Sequence, residues 1–391
     1  MTMLRNRLAG RCAEAYPSLQ ELPRRRVELP GDLFAHDSVK TEWWYYSGHL
    51  FADGRTFGFH LAFFRRRSDG DRIGRTIPVE WFFSLGYLAH FALSDLERGV
   101  FRFEHRRSHP GAAGADRDRY RVWIGDWSAE QRHAQHELAA AIEGVRLNLS
   151  LTPVKPVVLH GEHGFWEKAH GRSSFHFSYP RMSAEGTLCV EGRRYNVHGT
   201  AWMDREFGDC CFNREVQGWD AFCLQFDDGR EMMIYLLLDD AGGILDSSHL
   251  TLIQKDGSRL RLSSGQFSVN ASGRWVSPAT GLVYPQGWRV RASELSADFD
   301  VTPALGCEEV DTRGSTSTIY WEGPATVSGR MAEEAVSGRA YVELAGYDRA
   351  RGRFRLYDFR NENIGLVGFL VNEARWQWGV RGGTLRKEAS A

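Results

Sequence analysis

Apolar and polar residues alternate with a period of two along much of the chain. Between Val145 and Leu151, apolar Val145, Leu147, Leu149 and Leu151 interleave with Arg146, Asn148 and Ser150, the pattern of a strand with one face buried. Similar stretches recur at Trp43–Leu50, Thr56–Phe64, Tyr87–Leu93, Val100–Phe103, Ser173–Tyr179, Tyr195–Trp202, Ala221–Phe226, Glu231–Leu238, Ile319–Val327 and Val336–Leu344. Turn pairs such as Asp53-Gly54, Asp228-Gly229 and Asp256-Gly257 separate them, and such pairs join antiparallel strands into hairpins. Long helical periods are scarce, so the chain is expected to be all-β.

The pattern also repeats. Trp44 leads through a strand to Asp53-Gly54-Arg55 and back along Phe57, Phe59 and Leu61; Trp219 leads likewise to Asp228-Gly229-Arg230 and back along Met232, Ile234 and Leu236. Nearer the other end, Val197-His-Gly199-Thr-Ala201-Trp202-Met-Asp204 matches Val336-Ser-Gly338-Arg-Ala340-Tyr341-Val-Glu343. Two related units with similar first hairpins and last strands follow, each closed or nearly closed into a barrel to remove its edges, with a junction between Asp204 and Trp219.

The length of 391 residues agrees, because one hydrophobic core rarely serves so long a chain. With 49 basic and 50 acidic side chains the net charge is −1, which supplies no field for nucleic acid or an anionic membrane. The arginine runs Arg24–Arg26 and Arg65–Arg67 are balanced by Glu21, Glu28, Asp69 and Asp71. Six cysteines show no CxxC spacing, as expected of a reducing compartment. Arg5, Arg7, Arg11 and Glu14 interrupt the start, leaving no apolar signal-peptide core, and no apolar run has the length of a spanning helix. A cytoplasmic location is expected, with no transmembrane segment and no nucleic-acid partner; the oligomeric state is left open.

Leu29-Pro-Gly-Asp32-Leu-Phe-Ala-His36 followed by Glu42-Trp43-Trp44-Tyr45-Tyr46-Ser-Gly48-His49-Leu50 resembles the opening of the AttH-like, carotenoid 1,2-hydratase-type lipocalin-like family. Leu159-His-Gly161-Glu-His-Gly164, Tyr179-Pro-Arg181, Gly199-Thr-Ala201-Trp202-Met-Asp204-Arg205-Glu206-Phe207-Gly208, Gly218-Trp219-Asp220 and Tyr320-Trp321-Glu322-Gly323 continue the resemblance in order. It implies two tandem lipocalin-like antiparallel β-barrel domains packed together, at 29–208 and 209–348, with short helical or irregular extensions at 1–28 and 349–391. The second extension includes Ile364–Val371 and Trp376-Gln-Trp378, which either seal the second barrel or form a lid. Branches of that family hydrate acyclic carotenoids, fold linear polyenes into rings, or are labelled hydrolases, and this sequence is closer to the AttH-like branch than to the carotenoid hydratases.

Thirteen Trp, 13 Tyr and 23 Phe pack the cores and can line an apolar cavity for a hydrophobic ligand. Asp204 is the leading acid. It follows Trp202 by two residues on a strand, so both project to one face, and a carboxyl in an apolar setting keeps its proton and acts as a general acid. The resembling hydratases similarly carry an aromatic residue and an Asp near this point. His176 would orient or deprotonate the water that adds to a cation shielded by aromatic rings. Against this, Asp204 or Glu206 can simply pair with an arginine at the junction.

Glu42 is the second candidate, either catalytic or an anchor at a barrel rim, and Glu322 is its counterpart after Tyr320-Trp321. Trp202, Trp44, Tyr46, His60, Trp219 and Tyr320 are the expected substrate-binding residues. His160, Glu162, His163, His170 and His176 lack a tight ligand spacing, so no metal is expected. No GxSxG, GxGxxG or P-loop occurs, which removes support for an α/β-type hydrolase and for nucleotide chemistry. The sequence therefore points to a cofactor-independent enzyme acting on a polyene, isoprenoid or polyketide-like molecule, by acid-assisted hydration (a hydro-lyase) or templated cyclisation. A lipocalin-like carrier is the alternative, and a hydrolase a weaker one.

Overall fold

The computed structural model describes residues 22–348 apart from 74–76, 80–83, 109, 170–171, 209–214 and 317, together with 389–390. The proposed lid, Ile364–Trp378, lies outside the described residues, as do His170, Cys12, Cys210 and Cys211. Among the described residues no α-helix occurs, helical pieces being short turns such as Gly31–Leu33, and no helix is long and apolar enough to cross a membrane. The fold is all-β, as the period-two pattern requires.

Eleven principal strands form the first sheet: β1 (Thr41–Ala52), β2 (Arg55–Arg67), β3 (Leu85–Asp95), β4 (Val100–Ser108), β5 (Ala113–Ala115), β6 (Arg121–Ile124), β7 (Trp127–Arg132), β8 (Gln135–Ile142), β9 (Val145–Pro153), β10 (Arg172–Val190) and β11 (Arg193–Gly208). They run antiparallel in the order β4-β3-β2-β1-β11-β10-β9-β8-β7-β6-β5. The sheet curls into a nearly closed barrel, and Arg106 of β4 bridges the seam to the Ala141 carbonyl of β8 at 3.1 Å. The second sheet contains β12 (Gly218–Phe226), β13 (Glu231–Leu238), β14 (His249–Ile253), β15 (Arg259–Ser263), β16 (Ser268–Ser272), β17 (Gly287–Ala292), β18 (Ala297–Pro303), β19 (Ile319–Met331) and β20 (Glu334–Ala345). Its order is β15-β14-β13-β12-β20-β19-β18-β17-β16, a more open half-barrel. The repeat has its structural counterpart here: β1 pairs with β2 and β11, as β12 pairs with β13 and β20.

Alternation decides what each barrel encloses. On β1 and β2, Trp44, Tyr46, Leu50, Phe57, Phe59, Leu61 and Phe63 fill the first interior; on β12 and β13, Phe222, Leu224, Met232, Ile234 and Leu236 fill the second. Trp44 donates its indole N–H to the Leu33 carbonyl at 2.8 Å. The Tyr46 hydroxyl lies 2.5 Å from that of Tyr120 and 2.9 Å from His136 Nδ1. Both are closed core positions, because the strand phase turns them inward.

Glu42 is inward too. It is fully buried and pairs with Arg205 at 2.5 Å and Arg65 at 2.8 Å, while the Arg205 guanidinium sits 4.1 Å over the Trp44 ring. Burial pushes the Glu42 carboxyl up, but the Arg205 and Arg65 charges outweigh it and hold it at about 2.

The barrels meet through their outer faces. At Gly58 of β2 an added Cβ would lie 2.6 Å from the Pro324 side chain of β19, so the missing side chain permits close approach. Glu231 of β13 accepts from Lys155 at 2.7 Å and Arg181 at 2.5 Å across the joint. Gln225 Nε2 donates to the Pro180 and Ala201 carbonyls at 2.9 and 3.1 Å.

Replacing Glu42 with Gln leaves Arg205 buried without its full counter-charge. The expected cost is about 3–5 kcal/mol, read as a lowered midpoint in equilibrium urea unfolding; a loss below about 1 kcal/mol would remove Glu42 from this structural role.

Candidate active site between the barrels

A narrow cavity occupies the joint, with about 900 Å³ of space including its open mouth. Strand register places its walls. On the first barrel, Ser178 of β10 is opposite Asp204 of β11, which is opposite Tyr45 of β1; Tyr45 is opposite Ala62 of β2, and Ala62 opposite His90 of β3. One step along the same face runs His176, Glu206, Trp43 and Phe64. Five adjacent strands thus form one wall, and four spacings of about 4.8 Å make it roughly 19 Å across. On the second barrel, Tyr235 of β13, Ala221 of β12, Glu343 of β20 and Glu322 of β19 form one row, with Trp219, Ala345 and Tyr320 beside it.

At one end Asp204 gathers its neighbours. Its Oδ1 accepts from Trp202 Nε1 at 2.9 Å and from the Ser178 hydroxyl, and lies 3.4 Å from His176 Nε2. His160 Nε2 lies 2.7 Å from the Ser178 oxygen, and Cys223 Sγ is 4.0 Å from Asp204 Oδ2. Burial, then the Asp204 charge, push the Cys223 thiol up. Trp166 stacks on His176 with ring centres 6.1 Å apart, while Lys168 pairs with Glu206 at 2.6 Å. Donor atoms of His160, His176 and Asp204 lie within 4.8 Å of one another. The Ser178 hydroxyl bonds both His160 and Asp204 within that set.

The opposite wall carries two more acids. Glu322 and Glu343 are directly opposed on neighbouring antiparallel strands, where like charges repel. Burial, then the nearby Asp204 charge, push Glu343 up to about 7, against a hydrogen bond from Trp219. Burial and then the Glu343 charge push Glu322 well above its ordinary value as well. Tyr45 crosses from the first barrel and donates to Glu322 Oε1 at 2.6 Å, and His60 Nδ1 stands 3.3 Å from Glu322 Oε2. The raised Glu343 carboxyl thereby faces the Asp204–His176 pair, a suitable arrangement for moving one proton to a ligand and removing another.

Of the residues expected from sequence, Asp204, His176, Trp219 and Tyr320 line this cavity. Trp202 stands behind Asp204 as a donor, and His60 lies behind Glu322. Trp44, Tyr46 and Glu42 lie in the first barrel instead, and their outward neighbours Trp43 and Tyr45 reach the cavity. Sequence reasoning missed Glu343, Tyr235, His90 and Tyr341. Glu343 did carry a signal, since the internal repeat aligns it with Asp204.

A family model for AttH-like proteins matches residues 20–347. The chain belongs to the AttH-like family. A solved structure described as an AttH from Nitrosomonas europaea is 28% identical, with a TM-score of 0.74 over 84% of this chain and 99% of that one. Kievitone hydratase from Nectria haematococca superposes with a TM-score of 0.66 at 14% identity, covering 86% and 96%. CghA gives 0.52 at 14% identity, covering 84% and 94%. No curated protein matches. The AttH-like relatives share the architecture described above, two lipocalin-like barrels.

The joint sets the pH response of this AttH-like protein. Burial holds His49 and His60 down at about 3 and His105 at about 4, below the ordinary 6.5 of the unfolded chain. As pH falls below 6.5 the unfolded state binds protons that the folded state refuses, so these groups remove stability down to about pH 3. Glu343 at about 7 and Glu308, which burial raises to about 8, act oppositely. Their stabilisation is present below about 4.5, the ordinary Glu value, and is lost as pH rises through 7 and 8. The buried histidines outnumber the raised acids, so stability should peak near pH 6.5 and fall on both sides. Glu343→Gln should flatten the alkaline limb by up to about 1.4 kcal/mol per pH unit; urea midpoints from pH 4 to 9 give the measurement, and an unchanged alkaline limb would deny Glu343 its raised proton affinity.

Proposed function

We propose that this AttH-like protein is an enzyme that adds water to an alkene of a hydrophobic small molecule held between its barrels. The observation that carries the reading is the apposition of Glu343, which burial and Asp204 hold near 7, with the Asp204–His176 pair across an aromatic cavity. The sequence alone nominates Asp204 as the acid. Two donors converge on Asp204 Oδ1, whereas burial and like charge favour the proton on Glu343 and Glu322, so the acid role is better assigned to the Glu343 side.

In this scheme Glu343 gives its proton to one alkene carbon and the π pair forms the new C–H bond. The adjacent carbon becomes a cation, shielded by the faces of Trp43, Trp219 and Tyr235. Water adds to it as the Asp204–His176 pair takes the proton released, giving a tertiary alcohol when the alkene is trisubstituted. The net change is one molecule of water. The hydratase named among the structural neighbours is in accord with this chemistry, and CghA shares the same architecture. A linear polyene held in a reactive fold at this site would instead give an isomer by cyclisation.

The test is mass spectrometry of a hydrophobic metabolite extract incubated with the pure protein. Gain of one water in a polyene, isoprenoid or polyketide-like compound is expected, with turnover lowered about 10²–10⁴-fold in Glu343→Gln and in Asp204→Asn. An isomer at unchanged mass that survives both substitutions would replace hydration with cyclisation. Saturable capture without conversion would make the protein a carrier.

A further inference from the structure

The cavity walls contain polar atoms that the protein leaves unused. His90 Nε2, Thr318 Oγ1 and Tyr341 Oη have no hydrogen-bond partner, although their residues are only 2%, 3% and 3% exposed and all three residues line the cavity. An unpaired buried polar group costs about 1–3 kcal/mol, and native proteins keep few of them. Such a group on a cavity wall is satisfied when a ligand brings its partner.

His90 and Thr318 lie toward the end away from Asp204 and His176, while Tyr341 is opposite Cys223 of β12 with its ring centre 6.2 Å from that of His60. His90 is on β3, four strands across the wall from His176 on β10, and Thr318 precedes Tyr320 of β19 by two residues. The Tyr320 hydroxyl lies 2.8 Å from His90 Nδ1, and burial keeps the His90 ring neutral, its proton affinity far below the ordinary value. Where Tyr320 donates to Nδ1, the ring proton resides on Nε2, which is then a donor without a partner. Thr318 and Tyr341 add hydroxyl donors. His90 and Thr318 together suit an acceptor oxygen, and Tyr341 offers a further hydroxyl along the wall.

We infer that the ligand is a hydrophobic molecule carrying a carbonyl or hydroxyl oxygen, gripped at the His90–Thr318 end while its alkene lies toward Asp204 and Glu343. This rests on the reading of the cavity as the substrate site and narrows it: an unsubstituted polyene would leave three donors unpaired. The enclosed part of the cavity measures only about 70 Å³, so an isoprenoid or polyketide chain running along the roughly 19 Å wall must displace side chains to enter.

The test compares geranylacetone, an isoprenoid ketone, with the hydrocarbon in which a methylene replaces its carbonyl, by isothermal titration calorimetry. The ketone should bind about 10-fold more tightly to the wild-type protein. Thr318→Val and Tyr341→Phe, which preserve shape, should each cut that preference about 3-fold or more and leave hydrocarbon affinity unchanged; Thr318→Ser should restore it. Equal affinity for the two probes in wild type, or an unchanged preference in the Val and Phe variants, would overturn the inference. Binding needs no turnover, so the outcomes separate. Ketone preference without conversion of any extract component would sustain the oxygen grip and defeat the enzymatic reading, whereas conversion with equal probe affinities would defeat the grip alone.

Discussion

The structure depends on the burial of outer barrel faces against each other. In a solitary antiparallel barrel the outward positions of each strand face water and tolerate any polar residue. Here the outward positions of β1, β2, β3, β10 and β11 are covered by β12, β13, β19 and β20, so both phases of the alternation are buried at the joint. Inward positions became ordinary core. Outward positions kept polar side chains but lost their solvent, and that loss produces raised acids, neutral histidines and unpaired donors in one place. Desolvation is the common cause behind Glu343, Glu322, His60 and His90.

Much of the architecture was legible because it depends on local alternation and repeated turns. Strand spacing, the doubled hairpin and the matched last strands all follow from residues near each other in sequence. The cavity was less legible, for a reason of phase. Trp43-Trp44-Tyr45-Tyr46 is aromatic on both faces, so alternation cannot tell which pair faces the cavity; a one-residue shift exchanges the whole set. The structure turns Trp44 and Tyr46 inward and leaves Trp43 and Tyr45 at the joint. Asp204 lies on the opposite phase from Val197, Ala201 and Met203, which turn into the first barrel, so it stands on the outer face at the joint.

Glu322 and Glu343 illustrate the other limit. Their apposition depends on the register between β19 and β20, and their nearness to Asp204 on the packing of two barrels. The internal repeat aligned Glu343 with Asp204, a signal that two related strands would bring two acids to one junction. What the sequence could not carry was the rotation that sets those strands face to face. Histidine followed a similar course. His60, His90 and His105 lie far apart in sequence, yet β2, β3 and β4 put them on one covered face, each near a residue of the second barrel: Tyr341, Tyr320 and Ser315 respectively.

The same desolvation bears on the choice between chemistry and carriage. A hydrophobic carrier is best served by apolar walls, because each buried acid raises the cost of the empty site and, without a polar partner on the ligand, of the filled one. Here two carboxyls are opposed at adjacent strand positions, at a cost to stability that a cation or a mobile proton would relieve. The Asp204–His176 pair belongs to the first barrel and Glu343 to the second, so the groups of the proposed acid–base scheme stand on different walls. In the proposed hydration one group loses a proton as the other gains one. A surface shaped only to hold a ligand has no use for the asymmetry, whereas an acid–base reaction depends on it.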